Sequence, residues 1–500
     1  GYKLQYKPVV SKSVADTDKT NTDGQTVAKN STQTYTLTHD NVYANLKKGD
    51  KITIIDPLEA GAVPDVAVTK AATEKAGWGV AYDAGKNTYT FTATYEGKRL
   101  EAPVITWKPI YDKGFYDNTY KVLVNNYEVF SNTVVNYTSR PPKPVKSVLD
   151  RSGKNINGAT TFDRNVTFRL TTDYKPYSTF TADSKTYGKT WAMADDVQDG
   201  AYKVDDSKIT MKDSTGKDVK ALFNMYHVLS EKQRTKEIQS ILKEAGLNPK
   251  GEFYLWVAKD SASFYKNYVK PVKNITIELP ARLLVEKGKI VKNDFHQIDF
   301  GNAFVSNLVT LQVPDLKPEK HAVDQKDDKK IRDGQEIKIG EYLRYFLDGV
   351  TVPAKHDTLY QYDGIDKLDV KHDRYTGNWK GIIRGTEYVA EKELTLPYDV
   401  VLSNGKVVKA GDKIAKGSAY AFQFEFDQST NSNFIKKIVK VTWNEKEGKW
   451  AYTIDKDFLN SLGVKGTFDA DFYIEVERIA AGKVENTFIN TVNLQEMTAK

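Results

Sequence analysis

The feature that most constrains the fold of this chain is the alternation of apolar and polar residues in short runs. Such runs occur at Lys51–Ile55, Tyr89–Tyr95 and Tyr420–Phe426, and they are separated by turn-forming clusters such as 83–87 and 403–406. Successive side chains of a strand point to opposite faces, so a period of two indicates a strand with one buried face. Gly, Asn and Asp between such strands favour antiparallel pairing. The sequence therefore predicts a chain built mainly of antiparallel β-sheets.

One segment departs from this alternation and predicts a single helix over residues 230–245. Its apolar residues recur at helical spacing and are Ile238, Ile241, Leu242 and Ala245. Ser230 stands at the expected N-cap and Gly246 at the expected end. A helix that interrupts a β-fold is a candidate partner-binding element, with candidate contacts at Lys236, Ile238, Leu242 and Lys243. An amphipathic insertion that merely covers a sheet edge accounts for the same pattern equally well.

Composition excludes several classes of protein. The 500 residues include no Cys, which rules out disulfides, thiolate metal sites, iron–sulfur clusters and cysteine nucleophiles. The 73 basic and 66 acidic residues leave a formal charge of +7, and they are interleaved, which argues against nucleic acid as a partner. No apolar run reaches the roughly 18 residues of a membrane helix, so we expect no membrane contact in this segment. We expect a monomer of about three domains.

Repeated openings divide the chain into three units. A Lys-Pro opening occurs at 7–12, 143–146 and 317–320, and the second and third openings follow proline-bearing joints. Proline lacks an N–H and fixes φ, so it ends a strand and stiffens a short linker. The boundaries predict three domains at residues 1–140, 141–316 and 317–500.

The units also share a motif near their ends. Asn118 stands 14 positions before Asn132, which belongs to a Ser131-Asn132 pair. Asn293 likewise stands 14 positions before Asn307, which belongs to a Ser306-Asn307 pair. The third unit carries Asn490 but no matching Ser-Asn, so its last strand is expected to be cut short, and whether its cross-link is completed stays open.

Each unit combines a Lys on its first strand, an Asp on a middle strand and an Asn near its end. The lysines are Lys12, Lys146 and Lys320, the aspartates are Asp56, Asp195 and Asp363, and the asparagines are Asn118, Asn293 and Asn490. In a two-layer sandwich the first and penultimate strands can face each other across the core. Asp196 and Asp366 remain alternatives to Asp195 and Asp363.

A dry site would give these residues a specific chemistry. Burial lowers the pKa of a Lys and raises that of an Asp. A neutral amine is a nucleophile, and a protonated carboxyl beside the Asn polarises its carbonyl group and relays protons to the departing ammonia. We therefore expect Lys–Asn isopeptide bonds, Lys12–Asn118, Lys146–Asn293 and Lys320–Asn490, with the Asp residues assisting. Surface lysines beside turn asparagines would explain any one unit alone, but not the threefold recurrence in one order.

Several specific motifs carry a resemblance to a known family. They are 156–158, 244–251, 295–302, 306–309, 374–377 and 485–492. Over its whole length the chain resembles the C-terminal region of streptococcal antigen I/II family adhesins. The resemblance implies an all-β (mainly) fold of three tandem variant immunoglobulin-like (DEv-IgG) β-sandwiches with small helical insertions, each locked by a Lys–Asn bond. It also implies an extracellular, cell-wall-anchored adhesin whose anchor signal lies outside this fragment.

The same resemblance implies the partners of such a stalk region, namely host salivary or extracellular-matrix glycoproteins and other bacterial surface proteins. We expect no enzyme, since an isopeptide bond that forms once turns over no substrate. The alternative is a secreted carbohydrate-binding or glycan-active β-sandwich, which would need a carboxylate pair across an aromatic groove. No cofactor is required. Calcium is possible, and Asp327-Asp328 and the run Asp363, Asp366, Asp369 and Asp373 could offer oxygen ligands, although a solvated face explains them as well.

Overall fold

The computed structural model describes residues 9–125 and 127–500, and it divides into three β-sheet units. We call residues 9–140 unit 1, residues 141–316 unit 2 and residues 317–500 unit 3. Each named sheet of the described residues draws its strands from one unit. The three strands predicted from alternation are confirmed as Lys51–Pro57, Thr88–Thr94 and Ala419–Asp427.

Unit 1 contains twelve strands in three sheets. They are β1 Ser11–Ala15, β2 Gln25–Thr26, β3 Gln33–Thr38, β4 Lys51–Pro57, β5 Ala62–Pro64, β6 Gly79–Asp83, β7 Thr88–Thr94, β8 Val104–Pro109, β9 Phe115–Asn118, β10 Lys121–Val124, β11 Tyr127–Phe130 and β12 Val134–Tyr137. Their orders are β1-β3-β8-β5, β11-β10-β4-β7-β6 and β2-β12-β9. The first strand and the strand carrying Asp56 thus belong to different sheets.

Unit 2 repeats this arrangement with thirteen strands. They are β13 Val145–Leu149, β14 Ala159–Thr160, β15 Asn165–Thr171, β16 Ala192–Asp196, β17 Tyr202–Val204, β18 Thr210–Asp213, β19 Phe223–Val228, β20 Phe253–Ala258, β21 Ile275–Leu283, β22 Ile290–Asn293, β23 His296–Asp299, β24 Asn302–Val305 and β25 Val309–Gln312. One sheet runs β13-β15-β21-β17, with β18 also on β21, and the others run β19-β20-β16-β23-β24 and β14-β25-β22.

Unit 3 has the longest strands. They are β26 Glu319–Asp324, β27 Tyr342–Asp348, β28 Tyr362–Lys367, β29 Asp373–Val389, β30 Leu394–Thr395, β31 Val400–Leu402, β32 Val407–Val408, β33 Lys413–Ile414, β34 Ala419–Asp427, β35 Val439–Asn444, β36 Lys449–Ile454, β37 Thr467–Arg478, β38 Thr487–Val492 and β39 Gln495–Ala499. The main sheets run β26-β27-β37-β29-β34-β31-β32 and β35-β36-β28-β38-β39. The strands β30 and β33 form a separate pair.

The expectation of a single helix is wrong, because the described residues contain six α-helices. They are α1 Val66–Lys75, α2 Ser184–Tyr187, α3 Lys236–Ala245, α4 Ser261–Phe264, α5 Asn433–Ile438 and α6 Lys456–Ser461. Short 3₁₀ turns lie at Asp40–Asn45, Lys175–Thr179, Asp206–Lys208, Lys220–Leu222 and Glu231–Gln233, and a π-helical turn at Tyr265–Val269. The predicted helix is α3, and its N-cap is Thr235 rather than Ser230, since the Thr235 side chain accepts the N–H of Ile238. Gly246 ends it in the left-handed conformation with φ 70°.

Each unit has a main hydrophobic core, and the cores of units 2 and 3 also include one residue of the preceding unit, Ala28 and Phe162 respectively. Large aromatic side chains dominate all three cores, as with Trp107 in unit 1, Trp191 in unit 2 and Trp450 in unit 3, each at most 1% exposed. Two sheets facing each other over such a core form an immunoglobulin-like sandwich. The predicted fold class is therefore confirmed. No helix in the described part of the chain has the length and apolar character needed to cross a membrane.

Main-chain contacts join consecutive units. An isolated parallel bridge pairs Thr26 of unit 1 with Phe180 of unit 2, and another pairs Thr160 of unit 2 with His356 of unit 3. At the second joint, the buried carboxylate of Asp357 accepts the N–H groups of Phe162 at 2.9 Å and of Asp163 at 3.1 Å.

Candidate functional site

The three lysines occupy equivalent positions on the first strand of each unit. Each is the second residue of its strand, β1, β13 or β26, and each lies opposite a Leu of the neighbouring strand, namely Leu37, Leu170 or Leu347. The side chains of Lys12 and Lys146 are fully shielded from solvent, and that of Lys320 is 5% exposed. A Lys is almost never fully buried unless it is paired. The burial of all three lysines therefore points to a partner in each core.

In unit 1 the partner of Lys12 is Asp56. The Nζ of Lys12 donates to Asp56 Oδ2, and the face of the Tyr35 ring lies 4.1 Å from the same nitrogen. Asn118 lies beside the Asp56 carboxyl, and its Nδ2 donates to the carbonyl oxygen of Pro57 at 3.1 Å. The structure thus brings together the three residues predicted for this unit.

In unit 2 the same three residue types are in mutual contact. The Nζ of Lys146 donates both to Asp195 Oδ2 and to Asn293 Oδ1. The Nδ2 of Asn293 donates to Asp195 Oδ1 at 3.0 Å and to the carbonyl oxygen of Asp196 at 3.1 Å. Only the main chain of Asp196 reaches the amide, so Asp195 rather than Asp196 is the carboxyl of this cluster.

In unit 3 the cluster around Lys320 does not include the predicted Asp363 and Asn490. The Nζ of Lys320 donates to Asp366 Oδ1 at 2.5 Å, and Asn486 lies beside the Asp366 carboxyl. Asp363 and Asp366 are three positions apart on β28, so their side chains point to opposite faces of the sheet.

Asn490 instead forms hydrogen bonds with the main chain. Its Oδ1 accepts the N–H of Val350 at 2.8 Å, and its Nδ2 donates to the carbonyl oxygen of Asp363 at 2.8 Å. Both polar groups of the side chain are thus taken up by the main chain. The amide atoms of Asn486, in contrast, are shielded from solvent and have no hydrogen-bond partner among the described residues.

A sequence signal for Asn486 exists and was missed. In each unit the cluster Asn stands two positions before a fully buried aromatic residue, as in Asn118-Thr-Tyr120, Asn293-Asp-Phe295 and Asn486-Thr-Phe488. The spacing of Asn to a buried aromatic residue is thus common to the three cluster asparagines, whereas Asn490 is followed at that distance by Val492.

Burial shifts the ionisation of these groups. It lowers the pKa of Lys12, Lys146 and Lys320, although the neighbouring Asp residues partly oppose this. Burial likewise raises the pKa of Asp56 and Asp366, against the opposing effect of the lysines. Both shifts favour the pair of neutral amine and neutral acid over the ion pair. In unit 2 the lysine nitrogen also contacts the amide carbonyl oxygen of Asn293.

The Ser-Asn motifs found in the sequence hold the reactive strand in place. Asn132 Oδ1 accepts the main-chain N–H of Lys12 at 2.7 Å, and its Nδ2 donates to the Lys12 carbonyl oxygen at 2.9 Å. Asn307 makes the same two bonds to Lys146, at 2.9 and 2.8 Å. A side-chain amide thus replaces a missing neighbour strand at each of these lysines.

Of the four residues predicted as partner contacts on α3, two are buried and two are exposed. Ile238 and Leu242 are only 1% and 3% exposed, and they pack on the sheet formed by β19, β20, β16, β23 and β24. Lys236 and Lys243 remain exposed. Because α3 covers this sheet, every residue of β20 is buried. The helix is therefore an insertion that completes the core of unit 2.

Several of the acidic residues considered for calcium have cationic neighbours. Asp328 contacts Arg344 and Lys380, and Asp373 receives a hydrogen bond from Arg478 at 2.8 Å. Across residues 9–125 and 127–500, no three His, Asp or Glu side chains converge as a metal ion requires. Calcium binding stays a prediction.

A groove of about 1330 Å³ lies on unit 2 and is lined by four acidic residues, of which Asp206 and Glu252 contact one histidine. His227 joins them, since its Nδ1 is 2.6 Å from Asp206 Oδ2 and its Nε2 is 3.1 Å from Glu252 Oε1. A glycosidase needs its two carboxyl groups on opposite sides of a sugar. Asp206 and Glu252, which share one imidazole, do not provide that arrangement, and the glycan-active alternative stays a prediction.

Comparison with known proteins gives consistent matches. The family model described as cell surface antigen I/II C2 terminal domain matches residues 144–313, and the model described as cell surface antigen C-terminus matches residues 317–500. The C-terminal domain of the Streptococcus pyogenes antigen I/II-family protein AspA is 28% identical, with a TM-score of 0.55, over 72% of this chain and 98% of that one. The C-terminal domain of the Streptococcus agalactiae AgI/II polypeptide BspA is 28% identical, with a TM-score of 0.52, over 71% and 98%.

A longer relative is also similar. The aggregation substance of Enterococcus faecalis is 27% identical over 387 residues, which are 77% of this chain. The matched part spans 26% of the length of that protein.

Proposed function

Because the chain belongs to the antigen I/II family of cell surface adhesins, we propose that it is a stalk segment whose three units are each locked by an isopeptide bond. The bonds would join Lys12 to Asn118, Lys146 to Asn293 and Lys320 to Asn486. We further propose that the whole protein is anchored to a Gram-positive cell wall.

The observation that carries this proposal is the recurrence of one buried cluster in three units. Each cluster places a buried Lys and a buried Asp beside an Asn amide, and burial lowers the pKa of each of the three lysines. A buried charged pair alone is weak support for stability, because desolvation offsets its attraction. A reaction that converts the Lys amine into an amide would account for burying these groups together.

The proposed reaction balances within each cluster. The neutral Lys Nζ attacks the Asn side-chain carbon, and the protonated Asp lies beside the Asn amide. A C–N bond to Nζ forms, the bond from that carbon to Nδ2 breaks, and one proton moves from Nζ through the Asp carboxyl to the departing nitrogen. The products are a secondary amide and ammonia, and the Asp regains its proton. The reaction occurs once per unit, so we propose no enzymatic turnover.

Such a bond suits a surface protein without disulfides. The chain has no Cys, and an amide bond does not depend on an oxidising environment. We propose that the stalk projects an adhesive head and contributes to contacts with host glycoproteins and other bacteria. The name of the enterococcal relative, aggregation substance, supports a role between cells.

Intact mass tests the proposal directly. We expect recombinant protein to weigh less than its sequence predicts by the mass of three ammonia molecules. Replacing Lys12, Lys146 or Lys320 by Ala should each restore one ammonia. A wild-type mass equal to the sequence mass would refute the cross-links.

Binding of the intact protein to immobilised host glycoproteins and to whole bacteria tests the adhesive role separately. The triple variant Asn118→Ala, Asn293→Ala and Asn486→Ala is the control that distinguishes adhesion from stability, since it loses the bonds but keeps the buried Lys–Asp pairs.

A further inference from the structure

The amide nitrogen of Asn293 in unit 2 is surrounded by more acceptors than it can use. Asp195 Oδ1 lies 3.0 Å from Nδ2, the Asp196 carbonyl oxygen 3.1 Å and the Tyr202 hydroxyl oxygen 2.7 Å. A primary amide nitrogen carries two hydrogens. It can therefore satisfy only two of these three oxygens at one time.

The same three oxygens match the nitrogen as it leaves. Once Lys146 has attacked and the departing nitrogen has gained a proton, that nitrogen carries three hydrogens. Each then has an oxygen at hydrogen-bond distance. A site that fits the leaving group better than the reactant lowers the barrier, because only interactions that strengthen on the way to the transition state accelerate a reaction.

We propose that Tyr202 is a catalytic residue for the cross-link of unit 2, because its hydroxyl group completes a three-oxygen cradle for the departing nitrogen. This inference rests on the proposed isopeptide reaction and adds a residue to it. As the bond between the Asn293 side-chain carbon and Nδ2 breaks, the Tyr202 oxygen accepts the third N–H of the forming ammonia. No proton leaves Tyr202, so the overall balance of the reaction is unchanged.

The position of Tyr202 is fixed by its surroundings. It is the first residue of β17, is 4% exposed, and its ring packs on Phe168 with 4.8 Å between ring centres. Burial raises the pKa of its hydroxyl group well above the ordinary value, so the group stays neutral. Tyr202 also lines the groove of about 1330 Å³ on unit 2.

Unit 1 provides a natural comparison. The Nδ2 of Asn118 donates to the carbonyl oxygen of Pro57, which follows Asp56 just as Asp196 follows Asp195. Among the described residues no tyrosine hydroxyl bonds to Asn118 Nδ2. The carbonyl contact is thus shared by both units, and the hydroxyl contact distinguishes unit 2.

The test is a time course of cross-link formation in newly made protein. Full-length wild type and Tyr202→Phe are synthesised in a cell-free system, quenched in denaturant at intervals and digested. Mass spectrometry then quantifies the linked Lys146–Asn293 and Lys12–Asn118 peptides. Losing one hydrogen bond to a charged leaving group should slow the unit 2 link at least about tenfold. The unit 1 link of the same molecules should form at the wild-type rate.

Each outcome is decisive. An unchanged unit 2 rate in Tyr202→Phe would overturn the role of Tyr202, whereas the absence of linked peptides in wild type would overturn the isopeptide proposal itself. A folding defect is assessed in the Lys146→Ala background, which cannot form the link. If adding Tyr202→Phe there lowers the melting temperature of unit 2 substantially, the slower rate reflects damaged structure and the catalytic role is rejected.

Discussion

Replacing Asn293 by Ala should remove the unit 2 cross-link while leaving the buried pair of Lys146 and Asp195 intact. This choice matters because replacing the Lys would leave an unpaired carboxyl in the core, which is costly for a separate reason. The variant therefore isolates the contribution of the covalent bond better than Lys146→Ala does.

The expected loss follows from the length of chain that the bond closes, 147 positions from Lys146 to Asn293. The loop-closure relation for cross-links gives about 5 kcal/mol at this length. Lost hydrogen bonds of the Asn293 amide add about 1–2 kcal/mol. For a domain of this size, 5 kcal/mol corresponds to a fall in melting temperature of roughly 10–20 °C.

Calorimetry and intact mass of the same samples provide the assay. The matched control is Asn307→Ala, which removes two hydrogen bonds to the main chain of Lys146 but no reacting atom. We expect Asn307→Ala to keep the full mass deficit and to lower the unit 2 transition by only a few degrees. The reasoning fails if Asn293→Ala keeps the deficit of wild type, or if its transition falls no further than that of Asn307→Ala.

Three other perturbations test separate parts of the structure. Asn486→Ala should restore one ammonia to the mass, whereas Asn490→Ala should restore none; the reverse result would return the third link to Asn490. Burial raises the pKa of Asp299 to about 8, so between about pH 4 and 8 the folded unit 2 holds a proton that the unfolded chain has lost. Its free energy of unfolding should fall as pH rises through this window, by at most about 1.4 kcal/mol per pH unit, and urea titrations of Asp299→Asn should show a flatter dependence. Asp357→Ala leaves two main-chain N–H groups at the second joint without their acceptor, which costs about 1–3 kcal/mol each, and calorimetry should show an earlier unit 3 transition; an unchanged thermogram would contradict this role.

The strands were predictable because their burial alternates along the sequence. In β34, for example, Tyr420 and Phe422 face the core between less buried neighbours. The helix α1 was not predictable in this way. Its buried residues are Thr69 and Thr73, and Thr73 donates to the carbonyl oxygen of Val104 at 3.1 Å. A helix that meets its sheet through hydroxyl groups has no apolar stripe for a periodicity argument to find.

The candidate site was predictable where the repeat was regular. Units 1 and 2 share the 14-position spacing between their two Asn residues, and both predicted sets of three residues lie together. Unit 3 has no second Asn at that spacing, and the choice of Asn490 then rested on its place near the end of the chain. Asp363 lies on the face of β28 opposite to Asp366, so it is not the carboxyl of this cluster. The buried Phe488, two positions after Asn486, is the sequence signal that indicates Asn486.

The placement of each Lys on a first strand and each Asn near the end of its unit sets a tensile path along the chain. A load entering unit 1 at Lys12 would cross to Asn118 through one side-chain bond and bypass the sheets between them. Between the cross-links of units 1 and 2, the 28 positions from Asn118 to Lys146 could then extend to a contour length of at most about 100 Å. Asn132 lies within that stretch and grips the main chain of Lys12. Its two hydrogen bonds would be among the first contacts to resist extension.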